Sequence, residues 1–216
     1  SAIYNTATRR WGYEGPNPAA GVERHAEESR IRFLRRDELR RFLDAVDTEP
    51  DRTAADAILV ALWTGARRGN VLAMKWKHID MDAKLWHVPA DEAKTGERYT
   101  VTLSREAMEI LERREGCDAT YVFPSRRRPG EHITEVRGTF ESALGKAGIE
   151  GFRFHDLRHS LASHMSAAGV NLQTIAAQLG HRQISTTQKY SHLDTASVAA
   201  AVTSTTASMS AREADD

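Results

Sequence analysis

One cysteine, Cys117, stands in 216 residues. It cannot close an internal disulfide, so a reducing, cytoplasmic setting is the default. No apolar run approaches the ~20 residues that a membrane helix needs, and no cleavable signal pattern opens the chain. Net charge is lacking too, since 30 Lys and Arg balance 30 Asp and Glu. Nucleic-acid-binding domains are often strongly basic, so the balance by itself speaks against such a partner. Lysine is scarce, six against 24 arginines. Arginine's planar fork suits two-point binding of phosphate, whereas lysine is a point charge with a movable pKa. No internal repeat is present. With 40% hydrophobic and 28% charged residues, the composition is that of an ordinary globular protein.

The neutral total hides an uneven distribution. Residues 151–192 carry Arg153, Arg158, Arg182 and Lys189 against Asp156, a net +3, and hold five of the nine histidines. Residues 193–216 carry Asp194, Glu213, Asp215 and Asp216 against Arg212, a net −3.

The chain begins with Ser1 in a stretch that reads as loop-like, and Trp11 to Pro18 is rich in turn residues. Leu39, Phe42, Leu43 and Val46 recur at helical spacing, with Asp37 and Glu38 placed to suit the helix dipole. A second helix, rich in Ala, Ile, Leu and Val, is expected from Thr53 to Trp63, with Gly65 as its stop. The period then changes. Leu85-Trp86-His87-Val88 is strand-like, and Tyr99, Val101 and Leu103 alternate with threonines. Ala93-Lys94-Thr95-Gly96 between them reads as the turn of an antiparallel hairpin. Helices resume at 105–114, through Val136, Phe140, Leu144 and Ala147, and from His155 onward, with Gly148, Gly169 and Gly180 as stops. Ser185-Thr186-Thr187-Gln188 fits a capping box opening a short helix that carries Tyr190. After Ser197 the chain is mostly Ala, Ser and Thr and then acidic, a marginal helix and frayed tail.

Four places hold residues suited to chemistry: Thr64-Gly65-Ala66-Arg67-Arg68 at a helix junction, Lys94 in the hairpin turn, His155-Asp156-Leu157-Arg158-His159, and Leu179-Gly180-His181 followed nine residues later by Tyr190. Each alone has a plainer explanation as a solvated or packing side chain. His155 and His159 stand at i, i+4, a spacing that can hold zinc. Arg158 between them would repel a cation, and Asp156 stands where the zinc-helix motif has Glu.

Taken in order, Arg67, Lys94, His155-x-x-Arg158, His181 and Tyr190 resemble the active-site signature of the tyrosine recombinases, the phage integrase family. Thr-Gly-Ala-Arg67 is similar to the family's first-arginine box, which favours Arg67 over Arg68. Ala-Lys94-Thr-Gly resembles its hairpin lysine, His155 to His159 its second box, and Leu-Gly-His181 with Ser-Thr-Thr-x-x-Tyr190-x-His192 its third box and nucleophile. Tyr121-Val-Phe-Pro124 and Asn17-Pro18-Ala19 resemble it as well, so the likeness spans about residues 16–195. Asn70 departs from it, standing where the family often has an acid that would support Arg67 from behind.

The resemblance implies a fold class of α+β, mainly α-helical with a small antiparallel sheet. It implies a linker from an N-terminal core-binding domain over residues 1–30, a catalytic domain over 31–195, and a tail over 196–216 that docks on a neighbouring copy. The implied function is site-specific cleavage and rejoining of double-stranded DNA, serving integration or excision of a phage or mobile element. The expected assembly is a homotetramer on DNA and a monomer when free, in the bacterial nucleoid, with accessory DNA-bending proteins possible as partners and no cofactor, metal or membrane. Alternatives are a chromosome-dimer or plasmid resolvase with the same chemistry, a catalytically silent DNA-binding fragment, and a zinc hydrolase.

The chemistry is consistent with the residues. Metal-free cleavage of a phosphodiester needs cationic groups on the phosphoryl oxygens, and Arg67 and Arg158 can supply forked, charge-assisted hydrogen bonds. Tyr190 offers a phenol, whose ordinary pKa near 10 makes it a better leaving group than an alkoxide, so the covalent link is reversible without ATP. By the resemblance, Lys94 is the general acid, His155 the base or hydrogen-bond partner of the tyrosine, and His181 a donor to a phosphoryl oxygen. Arg126, Arg127 and Arg128 are a further candidate phosphate-contacting loop.

Overall fold

The computed structural model describes residues 2–18, 20, 32–93, 96–181, 183–188 and 190. Lys94, His192 and the expected tail at 196–216 lie outside the described residues. Two units, Ser1–Arg30 and Ile31–Asp216, make up the chain.

In the first unit, α1 spans Ala2–Trp11, which corrects the reading of the chain's start as loop-like. These ten residues contain neither glycine nor proline, and the turn begins only at Gly12, at φ +65°. The turn then folds back on the helix. Tyr4 donates to the Gly15 carbonyl at 2.5 Å, and its ring meets Tyr13 edge-on at 5.9 Å.

The second unit is mainly helical with one small antiparallel sheet. In chain order it runs α2 (Arg36–Asp47), α3 (Arg52–Thr64), α4 (Arg68–Leu72), β1 (Ile79–Asp80), β2 (Leu85–Val88), β3 (Tyr99–Thr102), α5 (Arg105–Arg114), α6 (Arg137–Ala147), α7 (Asp156–Ala167) and α8 (Leu172–Leu179). The sheet order is β1-β2-β3, with Trp86 opposite Val101 and Ile79. Strand β1 was not expected, because two residues carry no readable period.

Helix α3 explains much of the packing. From Ala54 to Leu62 its sequence is apolar around nearly the whole circumference, as a helix buried on most sides requires, and the one buried charge, Asp56, is held by Arg113 and Arg114. Ala54, Ala55, Ala57 and Ala61 are small enough for neighbours to approach, and α5, α6 and α7 all pack on it. Asp51 caps its start by accepting from Ala54 N at 3.1 Å. Gly65 ends it in the left-handed conformation at φ +65°. Phe42, Phe140 and Phe152 meet in a ring cluster between α2 and α6.

Helix α7 is unlike a core helix. Asp156, Arg158, His159, Ser160, Ser163 and Ser166 are all buried along it. Buried polar groups need partners, and several of these tie down other segments. The Ser160 hydroxyl accepts from Leu34 N at 2.9 Å, and Asp156 accepts from Arg153 N at 2.8 Å.

Helix α8 is clamped to the sheet by one side chain. The Gln178 carboxamide accepts from Thr102 N and donates to Thr102 O, both at 3.0 Å. It also donates to Thr64 O at 3.2 Å, reaching the end of α3. Beyond α8, Ile184–Thr186 is a single 3-10 turn where a capping box was expected to open a helix. The Thr187 hydroxyl is held by His181 Nδ1 at 2.8 Å, and Tyr190 N bonds back only three residues, to Thr187 O.

A Cβ placed on Gly65 meets Leu179 Cδ2 at 2.6 Å and Leu161 Cδ2 at 3.0 Å, in a conformation that side chains disfavour. Gly65→Ala is therefore expected to lower unfolding free energy by about 2 kcal/mol or more, measured by urea denaturation. Gly145→Ala in α6, where a Cβ meets nothing within 4 Å, serves as the control and is expected to be neutral or stabilising.

Candidate active site

Arg67 is the residue on which α3 hands over to α4. Its backbone is extended (φ −67°, ψ 143°) just ahead of the first turn of α4, so its side chain is half-buried while Arg68 stays exposed. Arg68 lies 3.8 Å from Glu135. This separates two arginines that adjacency leaves ambiguous, and it is Arg67 that turns toward Arg158.

Arg158 lies on the buried face of α7, only 4% exposed. Its Nη1 donates to the Gly65 carbonyl at 2.8 Å. Burial, with the neighbouring charge of Arg67, pulls this guanidinium down to about 10, against the opposing pull of Tyr99 and Tyr190. Arg158 Nη2 and Arg67 Nη1 are both buried and have no hydrogen-bond partner among the described residues. Unpaired buried donors cost free energy, and here two of them belong to like-charged groups.

Tyr99, at the start of β3, faces the same two arginines. Burial raises its phenol, and the charges of Arg158 and Arg67 pull it back. Gly180 makes room for its ring, since a Cβ there would lie 2.5 Å from Tyr99 Cδ2. The sequence gives Tyr99 only as one member of an alternating strand, and nothing in the alternation says what its hydroxyl meets.

Tyr190 is wholly buried, packed with Ala162, Ile175 and Leu179 between α7 and α8. Ser166 donates to its carbonyl at 2.8 Å. Its hydroxyl lies 2.5 Å from His159 Nδ1. Burial pushes this phenol up to about 12, against the pull of the Arg158 charge and with a smaller push from Asp156. His155 is exposed at the entry to α7 and stands one ring further out, edge-on to His159 with centroids 5.0 Å apart. In the sequence His159 is the last residue of the second box and is weighed against a metal site, with no catalytic role assigned to it. The signal that could have found its contact is its place one turn beyond His155 and next to Arg158.

A surface depression beside these groups is lined by Arg68, Arg153, Phe154, His155 and Arg158. His181 follows the left-handed stop at Gly180 and is half-buried, held by Thr187. Asn70 does something other than back Arg67. Its Nδ2 donates to Glu92 O at 3.2 Å, two residues before Lys94, a bond that an acceptor-only carboxylate could not make. Lys75 holds the Glu92 carboxylate at 2.7 Å. The turn that follows β2 is thus anchored at Glu92 from two sides. Arg126 and Arg127 are exposed on a separate cleft with Arg137, and Arg128 pairs with Glu131 at 3.3 Å.

Comparison with known proteins decides the family. Residues 32–197 match the phage integrase family. The chain belongs to the phage integrase family. It is 31% identical over 203 residues to the integrase of Salmonella phage P22, covering 89% of this chain and 51% of that protein. It is 32% identical over 195 residues to a shufflon-specific DNA recombinase of Escherichia coli, covering 89% and 48%. The chain thus spans about half the length of these relatives. The catalytic domain of bacteriophage HP1 integrase has the same fold, with a TM-score of 0.63 at 23% identity, covering 81% of this chain and 95% of that domain. The integrase-family chain therefore has the tyrosine recombinase catalytic-domain fold.

The raised phenol of Tyr190 makes an alkaline titration informative. A group that holds its proton more tightly when folded contributes stability that is full below its unfolded pKa, near 10, and is lost as pH rises through about 12. In absorbance titration near 295 nm, the last tyrosine to ionise before unfolding is expected to disappear in Tyr190→Phe.

Proposed function

We propose that this chain cleaves and rejoins double-stranded DNA at specific sites through a covalent 3′-phosphotyrosyl link at Tyr190. The reading rests on one observation. Arg67 Nη1 and Arg158 Nη2 are buried donors without a protein acceptor among the described residues, beside a phenol shielded from water. A phosphodiester supplies what those donors fit, two non-bridging oxygens that take forked hydrogen bonds. Family membership and the recombinase relatives support the same reading.

In this scheme Arg67 and Arg158 grip the scissile phosphate and offset the charge that builds on its oxygens in the transition state. His181 adds a third donor. The Tyr190 phenol attacks phosphorus, and Lys94 gives a proton to the departing 5′ oxygen. Asn70 and Lys75 hold the turn at Glu92, two residues ahead of Lys94 in the chain. His155 lies at the mouth of the depression, with Arg68 and Arg153 placed to meet neighbouring phosphates. Integration or excision of a mobile element is the role we favour, given the P22 integrase likeness.

The test is covalent capture on nicked, labelled duplexes at low salt with EDTA present, read on a denaturing gel. A slow-moving protein–DNA adduct is expected from the wild type and none from Tyr190→Phe, which should still bind DNA in a mobility-shift assay. Arg158→Lys is expected to bind DNA yet lose capture by about 100-fold or more, because a point charge replaces a two-point grip. An adduct that persists in Tyr190→Phe, or is abolished by EDTA, would overturn the reading.

A further inference from the structure

We propose that His159, and not the more exposed His155, takes the phenolic proton of Tyr190 when the tyrosine attacks DNA. This deepens the function proposed above and rests on it. The assignment comes from geometry. His159 Nδ1 is 2.5 Å from the Tyr190 hydroxyl, inside a site where both residues are buried. A general base must stand within hydrogen-bond reach of the proton it removes, and His159 does. While the phenol holds its proton, the hydroxyl donates and Nδ1 accepts, which places the ring's own hydrogen on Nε2.

The surroundings fix this ring. His155 packs edge-on against it at 5.0 Å on the outer side, and the Tyr190 ring lies 5.8 Å away on the inner side. Both histidines ride on α7 with Arg158, so one rigid helix carries a phosphate grip and a proton acceptor at adjacent positions. Burial holds the Tyr190 phenol protonated well above neutral pH, so an attack at pH 7 needs a proton acceptor at hand.

The step balances as follows. Tyr190 Oη bonds to the scissile phosphorus as the P–O5′ bond breaks. The phenolic proton passes to His159 Nδ1, which becomes part of an imidazolium, and the 5′ oxygen leaves as a hydroxyl with a proton from Lys94. In rejoining, a 5′ hydroxyl attacks phosphorus and returns its proton to Lys94. The departing Oη then recovers its own from His159.

The experiment compares His159→Asn, His159→Ala and His155→Asn in the capture assay at saturating DNA. Asn can still accept the tyrosine's hydrogen bond near the Nδ1 position but cannot act as a base at neutral pH. Both His159 variants are expected to lose capture rate by about 100-fold or more. Added imidazole should restore at least tenfold to His159→Ala and nothing to His159→Asn. Capture by His159→Asn within threefold of wild type overturns the proposal, as does imidazole rescue confined to a residue-155 variant. Should the His159 variants fail to fold by circular dichroism, nitrogen-15 spectra of the wild type and Tyr190→Phe decide without turnover. The His159 Nδ1 resonance is expected to move when the phenol is removed, and an unmoved resonance overturns the assignment. Absence of any wild-type adduct with that resonance shifted would instead count against the function itself.

Discussion

Arg158 keeps a guanidinium below the surface by giving one nitrogen to the Gly65 carbonyl, with a second cation, Arg67, pressing on it from the junction of α3 and α4. Two like charges do not stay together unaided in a poorly hydrated place. The fold holds them there by spending rigid elements on each. Gly65 adopts a conformation few residues tolerate and admits the side chains of Leu179 and Leu161 against its backbone. Arg158 sits in the first turn of α7, which packs on the largely buried α3. Gln178 then pins α8 both to β3 and to the last residue of α3. Remove any of these and the arginines lose the geometry that makes their repulsion useful.

The polar stripe of α7 is the second half of that arrangement. A helix carrying six buried polar or charged residues would be costly if they were left unpaired. Ser160, Asp156, Ser166 and His159 bond to backbone groups or to Tyr190, while Ser163 Oγ and Arg158 Nη2 have no partner among the described residues. The pattern explains why the stripe is polar at all. It organises segments distant in sequence, from Leu34 to Tyr190, around one rigid rod.

Much of this was legible in the residues. Helical spacing and glycine stops located α2, α3, α6 and the end of α8, because burial on one face and left-handed termination leave local marks. The hairpin was readable from alternation, whereas β1 was too short to alternate. The order of Arg67, Arg158, His181 and Tyr190 was readable as a motif. Their contacts were not, since the Arg158–Gly65 bond joins residues 93 apart. His159 was visible as the end of the second box but carried no role, because neither the box nor the i, i+4 spacing says anything about a tyrosine 31 residues away. Tyr99 and Gln178 carried no signal, since each acts through a partner set by the tertiary fold. The helix at 2–11 was missed because the turn residues after it coloured the reading of the whole start.

The carboxamide of Gln178 behaves as a one-residue strand. It satisfies the outward-facing N–H and C=O of Thr102, the groups by which an exposed strand recruits another chain. The β3 margin of the sheet is therefore already closed at Thr102, by a side chain that cannot propagate the ladder. Growth of this sheet by a strand from a neighbouring copy is directed to the opposite margin, where β1 offers two residues. Sheet extension is thereby blocked at Thr102, on the strand whose first residue, Tyr99, faces Arg67 and Arg158.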